Sequence, residues 1–268
     1  MRRLALAEWY ESSGRHDLPW RATRDRWAVL VSEVMLQQTQ VARVRERWPA
    51  FMAEFPDVQT TAAVGPAAVI AAWGRLGYPR RARRLWEAAV RVAADGWPAD
   101  LRELPGVGRY TAGAIAAQVD DTDTIGIEVN IRRVCERVAG ARLSERVGEE
   151  TARAIAAPLR GRDRLLALMD LGALVCAARR PACARCPIAR TCATRGELEG
   201  ETRHRQARFE GSFRQRRGQV MVQLRAGDVA AETVDPEALA SLVRDGLAEI
   251  TDATAHLPVA PAPAAHAR

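Results

Sequence analysis

Apolar side chains return at three- and four-residue intervals along most of the first 175 residues, the period of helices that bury one face. On this pattern residues 2–13, 25–39, 41–55, 66–73 and 79–95 read as helices, and 109–119, 130–139, 145–158 and 162–175 continue the series. No stretch shows the strict two-residue alternation of a strand, so the chain is expected to be all-α as far as its cysteine-rich segment. The stretch RWAVLVSEVMLQQ, from residue 26, is apolar on most sides and predicts a buried helix. Its polar exceptions, Ser32, Glu33, Gln37 and Gln38, therefore need a reason to be there.

Beyond Cys192 the pattern weakens. Residues 196–217 are charged and read as a basic linker, and RRGQVMVQLRAG and DPEALASLVRDGLAEI read as two short amphipathic helices followed by a strand. These place a small winged-helix-like tail at 218–256, and the Ala- and Pro-rich residues 257–268 are expected to be disordered. There is no internal repeat.

A chain of 268 residues can bury a core as one large or two modest domains. Its net charge is +7 and its pI near 9.9, a balance that suits a polyanion such as nucleic acid, although an ordinary basic surface gives the same figure. Residues 176–217 hold eleven arginines against four glutamates, so the excess positive charge is concentrated there. All 40 basic residues are arginine. Without a lysine side chain there is no ε-amine to form a Schiff base. No charged-then-apolar leader and no apolar run of membrane-spanning length is seen, so a soluble, cytoplasmic protein is expected.

Four places carry candidate chemistry. LPGVGRYTAGAIAA, residues 104–117, predicts a short helix, a glycine turn and a small-residue helix. In such a helix-hairpin-helix, Gly106 and Gly108 allow a tight turn, and backbone N–H groups from Gly106 through Val107 and Gly108 can meet a phosphate. A plain helical hairpin is the alternative. Cys176, Cys183, Cys186 and Cys192 form a C-x6-C-x2-C-x5-C set, with ligands enough for a tetrahedral zinc ion or a [4Fe–4S] cluster; physical chemistry leaves both open. Glu33 on its apolar helix is costly to bury unless protonated, paired or used, and an elevated pKa would suit a general acid. A core glutamate with a structural partner is the competing reading. Last, Asn130, the only asparagine, is expected to cap the helix it opens, with Glu128 just ahead in an irregular segment facing the same pocket as Glu33.

In this order, the elements resemble the endonuclease III superfamily of helix-hairpin-helix DNA glycosylases, and within it the MutY-type adenine DNA glycosylases. The likeness covers residues 1–195 and rests on LPWR, SEVMLQQTQV, RLGYPRRARRL, LPGVGRYTAGAI, MDLGALVC and the cysteine spacing. It implies a two-lobed helix-hairpin-helix DNA glycosylase fold with an iron–sulfur cluster loop and a short tail domain. The lobes are expected at 20–130 (six helices) and at 1–19 with 131–195. The implied activity is base excision repair: adenine opposite 8-oxoguanine or guanine is flipped from duplex DNA and removed. By resemblance, Glu33 is the general acid and Glu128 the carboxylate facing the sugar, supported by Asn130. Tyr110 takes the place of the Schiff-base lysine of bifunctional members, which implies a monofunctional enzyme. Trp20 and Arg21 would line the base pocket. Gln37 and Gln38 would read base edges, and Gln38, Thr39, Leu76 and Tyr78 would enter the duplex near the opposite base. Arg179 and Arg180 would meet the backbone, the four cysteines would hold a [4Fe–4S] cluster, and the protein would act as a monomer on mismatched or damaged double-stranded DNA, away from membranes.

Three departures stand out. Glu128 occupies the position of the family's aspartate, one methylene longer. That leaves open a different target base, thymine or uracil opposite guanine or a modified purine, or weak catalysis with mismatch binding retained. The tail is also shorter than the family's domain for 8-oxoguanine, and Pro79 stands where a second aromatic is usual.

Overall fold

The computed structural model describes residues 5–201 and 208–259. Part of the expected linker and the tail's last nine residues, where disorder is expected, lie outside the described residues. Among the described residues the first hundred hold six α-helices: α1 (Ala5–Ser13), α2 (Arg26–Leu36), α3 (Val41–Glu54), α4 (Val58–Ala63), α5 (Gly65–Trp73) and α6 (Arg80–Asp95). Then come α7 (Arg109–Asp120), α8 (Val129–Ala139), α9 (Glu145–Ala156) and α10 (Gly161–Asp170). The tail carries α11 (Phe213–Ala226) and α12 (Pro236–Arg244). Its strands β1 (Val229–Ala230), β2 (Glu249–Thr251) and β3 (Thr254–His256) form an antiparallel sheet in the order β1-β3-β2. No described helix is long and apolar enough to cross a membrane.

The chain divides into two compact units, each assembled from two separate stretches: residues 1–33 with 107–205, and 34–106 with 206–268. Against the expected lobes, residues 20–33 and 107–130 belong with the cysteine region. The reason is packing: Ala114 and Ala117 of α7 lie in one core with Leu6 of α1, Ile131 and Val134 of α8 and Leu165 of α10. A small-residue helix such as α7 lets neighbouring backbones come close. In this unit Asp170, fully buried, accepts from the Arg15 backbone N–H at 2.8 Å and from both Arg21 Nη atoms at 2.7 and 2.8 Å. The segment from Arg15 to Arg21 is thereby fastened to the end of α10.

In the second unit Phe51, Phe55 and Trp73 pack ring against ring at 4.8 and 6.1 Å, while Leu85, Ala88, Ala89 and Val92 form the buried stripe of α6. Helix α4 has no counterpart among the expected elements. Its sequence, VQTTAA, is short and β-branched, but the Asp57 carboxylate accepts the Thr60 N–H at 2.7 Å and starts the turn. Helix α11 begins inside the expected linker because Ser212 caps it, accepting from the Gln215 N–H. Asp245, at the end of α12, accepts from Arg80 of α6 and from Arg217 of α11, the latter at 2.6 Å. These bonds hold the tail within its own unit.

Candidate active site

Helix α2 is started by Asp25, whose carboxylate accepts the Ala28 N–H at 2.7 Å. Two turns on, Glu33 is only 5% exposed, and its Oε1 accepts a 2.7 Å hydrogen bond from Gln118 Nε2 of α7. Burial pushes the Glu33 carboxyl from 4.5 up to about 7. The Gln118 N–H and the Arg21 guanidinium pull against that rise, and the charge of Glu128 adds to it.

Glu128, not Asn130, caps α8. Its Oε1 accepts the Ile131 N–H at 2.9 Å and its Oε2 accepts Asn130 Nδ2 at 3.0 Å. Asn130 lies inside the first turn, where its side chain bridges: Oδ1 accepts from Arg133 Nη2 at 2.7 Å. Arg133 in turn donates to the carbonyls of Gly172 and Cys176, each at 2.7 Å. The longer glutamate side chain can curl back to the helix N-terminus, which takes the cap from its neighbour. Burial raises the Glu128 pKa, while its donors and Arg133 favour the anion.

Tyr110 completes the group. Its hydroxyl points to Met169 Sδ at 3.5 Å, and burial with the charges of Glu33 and Glu128 lifts the phenol well above its ordinary value. Gly126 is required here, since a Cβ would lie 2.6 Å from the Tyr110 ring. Trp20 is buried, 3% exposed, and Arg21 is turned onto Asp170 while still acting electrostatically on Glu33. The sequence reading thus brought Glu33, Glu128, Tyr110, Asn130 and Arg21 to one place and missed Gln118, Asp170 and Arg162. Arg162 donates to the carbonyls of Gln118 and Thr23 at 2.8 and 3.0 Å. Gln118 follows Thr111 by seven residues on α7, and both are buried. That pair of polar residues on one face of a small-residue helix was the available signal.

The four cysteines line one pocket of about 390 Å³, part of it open to solvent, together with Val134, Leu171 and Ile188. Arg137 Nη1 donates to Cys176 Sγ at 3.5 Å and the Arg195 N–H to Cys192 Sγ at 3.4 Å. Among the described residues no three His, Cys, Asp or Glu side chains converge as a site for a single metal ion.

Residues 31–158 match the family model of the HhH-GPD superfamily of base excision DNA repair proteins, a span holding Glu33, Tyr110, Gln118, Glu128 and Asn130. The chain is also 40% identical over 271 residues to the adenine DNA glycosylase of Mycolicibacterium smegmatis, covering 92% of each. The chain belongs to the HhH-GPD superfamily. A second relative, the adenine DNA glycosylase of Mycobacterium tuberculosis, is 40% identical over 83% of this chain and 78% of its own. Among solved structures, a thermostable thymine-DNA glycosylase superposes with a TM-score of 0.65 at 27% identity, covering 72% of this chain and 94% of that one.

The hairpin of this HhH-GPD chain is tighter at its start than its sequence suggests. A single 3-10 turn, Leu101–Glu103, precedes Pro105, and Gly106 takes a φ of 81°, with Arg84 Cβ 3.2 Å from where a Cβ would be. Gly108 is extended, has open space around it, and caps α7 without a side chain, so it leaves the helix N-terminus clear. The Val107 side chain is buried, which leaves its backbone alone for contact.

In the second unit, Gln37 is half-buried, Gln38 is exposed at a φ of 55°, and Tyr78 is 40% exposed at a φ of 49°. Leu76, expected to enter a duplex, is 5% exposed in this structure because it packs inward. Thr39 Oγ1 accepts from Arg81 Nη2 at 2.9 Å. Arg179 and Arg180 are both exposed, the latter at a φ of 51°.

Proposed function

We propose that this base excision repair protein is a monofunctional DNA glycosylase that hydrolyses the N-glycosidic bond of adenine mispaired with 8-oxoguanine or guanine. The observation that carries the reading is Glu33: a buried carboxyl with a pKa near 7, beside a second carboxylate, in a chain 40% identical to adenine DNA glycosylases. A group with that pKa is half protonated at neutral pH and can act as an acid there. The mispaired adenine leaves the stack for the site, at a cost of a few kcal/mol. Glu33 gives its proton to N7, the bond between C1′ and N9 breaks with its electron pair passing to the base, and neutral adenine departs. The Glu128 carboxylate faces the resulting oxocarbenium ion, stabilising it or trapping it until water adds to C1′. The proton released by the water returns to Glu33. Tyr110 offers no amine and the chain has no lysine, so the enzyme is read as one without Lys-dependent cleavage of the abasic site.

Cys176, Cys183, Cys186 and Cys192 would hold a [4Fe–4S] cluster. Four thiols around one pocket, with N–H donors aimed at two of the sulfurs, are a donor set that fits such a cluster. When bound, the cluster supplies cross-links that order the loop carrying Arg179 and Arg180, which would meet the phosphates of duplex DNA. The protein acts on mismatched or damaged duplexes as a monomer, and the tail, with its two helices and three short strands, is read as winged-helix-like.

A second reading changes the base. Glu128 is one methylene longer than aspartate, and displacing a reacting carboxylate by about 1 Å can cost on the order of 100-fold in rate. Likeness to a thymine-DNA glycosylase structure keeps thymine opposite guanine in view. Single-turnover base release decides between them, using duplexes with A opposite 8-oxoguanine, A opposite G, T opposite G and U opposite G. Adenine release by the wild type supports the first reading. Release of thymine or uracil instead supports the second. Adenine release by Glu128→Asp alone would mean that the natural protein is a retuned glycosylase or a mismatch binder.

A further inference from the structure

We propose that Gln118 is a positioning residue for the Glu33 carboxyl, engaging Oε1 through its amide N–H and so assigning the transferable proton to Oε2. The proposal rests on the reading of Glu33 as proton donor and adds the residue that decides which oxygen donates.

A carboxylic acid offers two oxygens, and only the one carrying the proton can deliver it. An oxygen that already accepts an N–H hydrogen bond is the poorer place for a proton, because the two hydrogens would confront each other. Gln118 Nε2 lies 2.7 Å from Oε1, and the Gln118 side chain is itself almost fully buried, 1% exposed. Its backbone is fixed too: the Gln118 carbonyl accepts from Arg162 Nη1 at 2.8 Å, and Arg162 Nη2 reaches the Arg21 carbonyl at 2.5 Å. Arg21 is held by Asp170 through both Nη atoms. The amide therefore sits on a braced frame and gives Glu33 one preferred rotamer.

The other charged or titratable groups acting on Glu33 and its pocket are Glu128 from the start of α8, Arg21 from the segment before α2, and Tyr110 from α7. Of the influences that hold the Glu33 pKa down, the Gln118 hydrogen bond is the largest. Removing it has two separable effects: the carboxyl loses its fixed rotamer, and its neutral form persists to higher pH. A purely structural glutamine would produce neither in this combination.

The test uses the full-length, cluster-loaded protein with Gln118→Leu, and with Gln118→Met, closer in shape, should the first not fold. Glutamate carboxyl carbons are labelled with carbon-13, and the Glu33 signal is identified by its absence in Glu33→Gln. In both Gln118 variants the Glu33 titration should move up by about one pH unit or more, since a hydrogen bond to a charged group is worth about that much. Single-turnover adenine release should show a lower plateau at acid pH, with its alkaline limb moved up by the same amount. An unmoved Glu33 titration would overturn the proposal. A downward movement would overturn it as well, by showing that the amide presents its carbonyl to a protonated Glu33. If the wild type releases no adenine at any pH, the adenine reading fails on its own, and the carboxyl titration still decides the role of Gln118.

Discussion

A carboxyl that titrates near neutrality leaves a signature in stability as well as in rate. In the folded protein Glu33 holds its proton up to about pH 7, whereas an exposed glutamate releases it near 4.5. Between those values the folded state binds more protons than the unfolded one, so the wild type loses stability as pH rises through this window. Glu33→Gln removes the penalty, and its stability advantage over the wild type should grow by on the order of 3 kcal/mol between pH 4 and pH 8. Denaturant melts at the two pH values check this; an equal advantage at both would show that Glu33 is not a raised carboxyl. The same variant should lose base release while still binding mismatched duplex, as gel-shift and single-turnover assays would report. Glu33 was legible in the sequence because a charge stood alone on an apolar helix. Gln118 showed only as half of a polar pair with Thr111, and its role was not legible because an amide carries no charge and its partner lies 85 positions away. The cap at Glu128 was misassigned for a related reason: glutamate is a less common cap than asparagine, and only the fold shows that its longer arm reaches the Ile131 N–H.

At the scale of elements, the turn after α2 and the loop before α6 share one fastening. Arg81 Nη1 donates to the carbonyls of Val34, Met35 and Gln37, and Nη2 to Thr39 Oγ1 and the Gly77 carbonyl, all between 2.5 and 3.0 Å. Its guanidinium lies 5.3 Å from the Trp73 ring centre and 5.4 Å from that of Tyr78. With no carboxylate among these partners, burial lowers the Arg81 pKa to about 10, and carbonyl dipoles do the work of a counter-ion. Arg81→Met should destabilise the protein by about 3 kcal/mol or more, because several buried carbonyls lose their donor at once. A loss below about 1 kcal/mol in a denaturant melt would contradict the fastening. Most helices were legible from apolar spacing, since burial of a stripe is what forms them. Helix α4 escaped because its start depends on one Asp57 side-chain bond and its β-branched residues read against a helix.

At the scale of the molecule, positive charge and cysteines occupy the same segment. Affinity for duplex DNA should fall steeply and log-linearly with salt as phosphate contacts are screened, and a flat response would remove Arg179, Arg180 and their neighbours from the interface. Purified protein should be brown and carry about four irons per chain, as the four-thiol set of a [4Fe–4S] cluster requires; colourless protein with one zinc would reverse the cluster assignment.

The way the two units share the chain has a consequence for how the protein is made. Each is built from two stretches, and each encloses part of the other in sequence: 1–33 waits for 107–205, and 34–106 for 206–268. As the polypeptide leaves the ribosome, the Arg15 and Arg21 side chains have no Asp170 to bind until some 150 further residues have been added. The first unit can close only once residues up to 205 are made, and the second only after the stretch that follows them. Folding of this catalyst therefore waits on late synthesis, and a message cut short before residue 206 leaves residues 34–106 without their partner stretch even though both stretches of the first unit are present.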